Sequence, residues 1–137
     1  MILADIRPAR TLPQRPTSPH LEIYRFTWTM AMSIAHRISG MAAYFGIILL
    51  VVWLGAAASG PENYALVAGL FGSWIGILVL VLLSWAIIHH AIGGVRHMVW
   101  DTGRSLDRTS RMLWAQATLA GSVSLTILLW LLIYLGA

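Results

Sequence analysis

Three long stretches of this chain carry no charged side chain: Ile38 to Pro61, Asn63 to Val95 and Met112 to Ala137. A hydrocarbon core of about 30 Å takes roughly 20 helical residues to cross. Inside it every backbone N–H and C=O must be paired within the chain, which favours helices for runs this apolar. Composition points the same way: 58% of the 137 residues are hydrophobic and 10% are charged, against roughly 25% charged in an ordinary soluble domain. The expectation is an all-α integral membrane protein with three transmembrane helices, at roughly 29–56, 67–99 and 112–135. The second run is longer than a span needs, so Asn63 to Ser73 is read as either a loop or an interfacial helix.

Residues 1–26 are polar and proline-bearing and form an expected aqueous arm ahead of a transmembrane domain at 27–137. All nine basic residues are arginines, and the net charge is +4. They flank the apolar runs and form no basic-aromatic patch, so they speak for topology and not for nucleic-acid binding. Arg7, Arg10, Arg15 and Arg25 lie in the arm, and Arg104, Arg108 and Arg111 lie between the second and third runs. The stretch between the first two runs carries only Glu62. By the positive-inside rule the N-terminus and the second loop are inside and the C-terminus outside. Tyr24, Trp28, Trp53, Trp100, Trp114, Trp130 and Tyr134 fall near the expected membrane boundaries, while Trp74 and Trp85 fall within the second helix. The segment around Arg7 and Arg10 lacks the apolar region of a secretory signal, and no long transit peptide is seen. The expected site is a bacterial inner membrane, ahead of a mitochondrial one. The chain has no cysteine, which removes disulfides, cysteine-held iron–sulfur clusters and covalent haem attachment.

Against this background two polar clusters stand out, because ionisable groups inside a span are costly. His89, His90, Arg96 and His97 end the second apolar run, with Gly93 and Gly94 among them. On a helix His90, Gly94, His97 and Asp101 share one stripe, and a histidine one turn from a glycine leaves room for a flat ligand. The second cluster, Ser33, His36, Arg37 and Gly40, opens the first helix. Topology puts both clusters in the inner half of the bilayer, His90 near mid-membrane and His36 closer to the interface. A neutral imidazole is a good haem ligand, and haem propionates need cationic partners. A hydroxyl beside a guanidinium, as at Ser33 and Arg37, suits a quinone carbonyl. The plainer readings are histidines that tie helices together, arginines such as Arg96 that only set topology, and glycines that only allow close packing.

The segments Arg15-Pro16-Thr17-Ser18-Pro19-His20-Leu21-Glu22-Ile23-Tyr24, Ser33-Ile34-Ala35-His36-Arg37-Ile38-Ser39-Gly40 and His90 through Gly94, Arg96 and His97 to Asp101 follow in this order. Together they resemble the cytochrome b membrane-anchor subunits of succinate dehydrogenase, in respiratory complex II, over about residues 15 to 135. The resemblance implies that His90 is one axial ligand of haem b and that a second, smaller anchor subunit supplies the other. It implies that Ser33 and Arg37 line a ubiquinone pocket near an iron–sulfur subunit, and that His36 and Arg37 lie by the haem propionates. The role is not carried to His89. The implied partners are a flavoprotein, the iron–sulfur subunit, the smaller anchor, ubiquinone and lipid. Such a chain holds neither flavin nor iron–sulfur cluster, so it does not itself oxidise succinate. Two other readings stand beside it: a cofactor-free structural anchor, and a self-contained cytochrome using both His36 and His90.

Overall fold

A computed structural model describes residues 25–136. The segment of the sequence motif from Arg15 to Tyr24, with most of the expected arm, lies outside the described residues. The described residues form four helices: α1 at Trp28–Ala58, α2 at Pro61–Gly72, α3 at Trp74–Asp101 and α4 at Arg108–Gly136. Three of them, α1, α3 and α4, are long and apolar enough to cross a membrane.

The second apolar run differs from the single helix expected at 67–99. Pro61 starts α2 in the first-turn position, where its missing N–H costs nothing. Gly60 before it has φ of 112°, which suits a residue without a Cβ. The chain breaks at Ser73, whose backbone is extended and whose hydroxyl accepts the Gly76 N–H at 3.1 Å to cap α3. Gly76 lies against the backbone of Leu70 and Phe71, so α2 folds back closely on the start of α3. Asn63 to Ser73 is thus almost wholly helix, separate from the span.

At the other end of α3, Thr102 and Gly103 return their N–H groups to Val99 and Trp100, and Gly103 takes φ of 75°. This is a helix stop of the left-handed kind. Asp107 then accepts the Ser110 N–H at 2.9 Å and opens α4.

The bundle core sits on two seams. Between α1 and α3 it is made by glycines, with Gly46 against Leu83 and Gly40 against His90. These pairings run antiparallel. Between α3 and α4 it is made by small and hydroxylated residues: Ala86 and His89 on one side, Ala115, Thr118, Ser122 and Thr126 on the other, all buried. The three hydroxyls bond to carbonyls of their own helix, so the seam holds no loose donor there. An apolar cavity of about 630 Å³ opens beyond the Gly46–Leu83 contact, lined by Trp53, Phe71, Leu83 and Trp130 among others. It lies away from the polar clusters.

Candidate functional site

Antiparallel packing of α1 on α3 brings the two polar clusters together. The rings of His36 and His90 stack with centroids 4.1 Å apart and planes 1° from parallel. Each ring rests where the facing helix has a glycine. A Cβ on Gly40 would stand 2.7 Å from His90 Cε1, and one on Gly93 would overlap the His36 ring. The two helices therefore exchange a histidine for a glycine in both directions, and no larger residue fits either seat without displacing the stack. Such a stacked pair contributes about 0.5–1.5 kcal/mol beyond its buried area.

The backbone carbonyl of His36 is the second element of the site. His90 Nδ1–H donates to it at 2.9 Å, and Ser39 Oγ–H donates to it at 2.8 Å. A carbonyl can only accept, so the proton of the neutral His90 ring sits on Nδ1 and Nε2 keeps its lone pair. Ser39 is buried, 2% exposed, with its oxygen 3.5 Å from His90 Nδ1. Ser39 lies in the Ser33 to Gly40 segment of the resemblance, which assigns it no role. Its spacing of three from His36 was the available signal.

The ring series continues toward the C-terminal end of α3. His97 lies 5.1 Å from His36 and meets the Trp100 ring edge-on at 5.1 Å. The Arg96 guanidinium lies 5.0 Å from the centre of Trp100. Arg96 is 3% exposed, a packed cation over an aromatic face. His97 itself is exposed, and Gly94 has open space where a side chain would stand.

His89 faces the other way. It is fully buried against α4, and since Ser122 gives its own proton to Leu119, His89 Nδ1–H donates to the Ser122 oxygen at 3.1 Å. This histidine serves the α3–α4 seam, one helical step from His90 on the α1 side. Ser33 is half-buried on α1 and Arg37 is exposed, one position round the helix from His36.

One expectation about depth is corrected. His36 was placed nearer the interface than His90, but the stack puts both at one level. In this arrangement the His36 and His90 rings face each other at 4.1 Å and do not point their nitrogens at a shared centre.

Residues 11–129 match the family described as succinate dehydrogenase/fumarate reductase transmembrane subunit. The succinate dehydrogenase cytochrome b556 subunit of Paracoccus denitrificans is 39% identical over 114 residues, covering 83% of this chain and 88% of that one. The cytochrome b556 subunit of Rickettsia conorii is 36% identical over 117 residues, covering 85% and 91%. The mitochondrial cytochrome b560 subunit of Mus musculus is 34% identical over 98 residues, covering 70% and 58%. With likeness extending through the spans and both histidine clusters, this chain belongs to the succinate dehydrogenase/fumarate reductase transmembrane-subunit family.

Proposed function

We propose that this chain is the cytochrome b anchor of a succinate dehydrogenase, holding haem b through His90 and forming part of a ubiquinone-reducing site with Ser33 and Arg37. The observation that carries the reading is the bond from His90 Nδ1–H to the His36 carbonyl. It fixes ring and tautomer so that Nε2 is the electron-pair donor, the usual arrangement of a metal-binding histidine. The residues fit the group: a held imidazole, open space at Gly94 one turn on, and an exposed guanidinium at Arg37 on the facing helix. When bound, haem b supplies a one-electron carrier.

The chain's own residues bind and orient. His90 would hold the haem iron through Nε2, and a second, smaller anchor subunit would supply a further ligand. Arg37, with His36 beside it, offers positive charge to propionates. Ser33 and Arg37 present a hydroxyl and a guanidinium to the carbonyl oxygen of a quinone arriving from lipid, and hold it while electrons come from a flavoprotein and an iron–sulfur partner. The complex sits in a bacterial inner membrane with the N-terminus inside.

The test uses the intact complex. His90→Ala is expected to lose the low-spin b-type spectrum while the complex still assembles. An unchanged spectrum removes His90 as ligand, and a wild-type complex without pyridine-extractable haem favours a cofactor-free anchor. Arg37→Ala is expected to lower quinone reduction by about tenfold or more, the factor for one charge-assisted hydrogen bond of ~1.5–3 kcal/mol, with succinate oxidation by an artificial acceptor retained. Equal loss of both activities points to failed assembly.

A further inference from the structure

We infer that Ser39 is a positioning residue that sets how strongly His90 donates to the haem iron, by sharing the His36 carbonyl with the His90 ring. The inference rests on the proposed role of His90 as haem ligand. Its warrant is the three-atom arrangement at that carbonyl. One oxygen accepts from His90 Nδ1 at 2.9 Å and from Ser39 Oγ at 2.8 Å. Ser39 is 2% exposed, so water does not compete for its hydroxyl.

Donors that converge on one acceptor draw on the same lone-pair density, so each bond is weaker than it would be alone. The Nδ1–H bond matters beyond its own energy, because the more fully that proton is shared with the carbonyl, the more imidazolate character reaches Nε2. An imidazole richer in negative charge favours the ferric over the ferrous state. Ser39 therefore acts as a moderator: its hydroxyl holds part of the carbonyl back from His90 and keeps the couple at a higher potential than the ring alone would give.

The seat of the ring makes this coupling effective. Gly40, next to Ser39, holds the His90 edge so closely that a Cβ would reach Cε1 at 2.7 Å. The His36 ring closes one face at 4.1 Å. With its edge and one face fixed, the His90 ring has little freedom to leave the shared carbonyl, so a change in that bond is felt at Nε2 and is not absorbed by a rotation.

The experiment is a potentiometric titration of haem b, followed optically, in the intact complex carrying Ser39→Ala. The expected result is a lower midpoint potential at unchanged haem content, seen as a rise of up to about tenfold in the ferric-to-ferrous ratio at a fixed ambient potential, or about 59 mV for one electron. Ser39→Cys, nearly isosteric and a weaker donor, is expected to shift the potential the same way by less. It decides the matter if the alanine variant does not assemble. A wild-type potential in the variants that assemble, or a rise, overturns the inference. Failure of the haem-ligand reading is seen separately, as a b-type spectrum that survives His90→Ala.

Discussion

At the scale of single residues, two glycines on α1 allow opposite outcomes to be foreseen from one substitution. A Cβ on Gly40 meets His90 at 2.7 Å, whereas Gly55 has nothing within 4 Å. Gly40→Ala is expected to destabilise the bundle by about 1–3 kcal/mol as an overpacked seat and to move the imidazole it supports. Gly55→Ala is expected to be neutral or to stabilise by up to about 1 kcal/mol through helix propensity. Thermal unfolding in detergent, read alongside haem content, separates them, and equal effects would contradict the seat. Residue chemistry was legible in part. The histidines and arginines announced themselves by their cost in an apolar run. Which way each pointed was not legible: His89 and His90 are neighbours in sequence, yet one faces α4 and the other α1, and only the azimuth of α3 decides it. For Arg96 the charge was legible and its aromatic neighbour was not.

At the scale of elements, the spans were readable because a run of 20 or more apolar residues has few other fates. The break at Ser73 was harder, since Gly72-Ser73 interrupts hydrophobicity hardly at all and acts through backbone geometry and a hydroxyl cap. A second cap makes a pH prediction. The Asp107 carboxyl accepts from Ser110 at the start of α4, and these hydrogen bonds hold its pKa below the ordinary carboxylate value. A folded-state pKa below the unfolded one means the cap's contribution is present above the unfolded value and is lost as pH falls through the folded one. The first turn of α4 is therefore expected to fray in acid, below about pH 4, and to stay ordered at neutral pH. Amide exchange at Ser110 and Arg111 as a function of pH reads this, and Asp107→Asn is expected to flatten the profile. Exchange that does not change with pH in the unaltered protein would remove Asp107 as the cap.

At the scale of the whole molecule, 11% of the most apolar window of each span is buried within the chain. The rest needs lipid or a partner, so the described chain is a framework for assembly more than a self-sufficient core. The proposed topology is tested by fusing an alkaline phosphatase active only outside. The expectation is activity after Gly136 and none in the loop at 102–107, and the reverse pattern would invert the arrangement. The paired seats of His36 and His90 also carry a consequence in time. The two residues are 54 positions apart, and at ~5–20 residues per second a ribosome needs about 3–11 s to make that length. Through that interval Ser39 and the His36 ring are without their neighbour. Whatever shields that face while α3 is being made, whether lipid headgroups, an insertion factor or an early partner, is part of how this site is built.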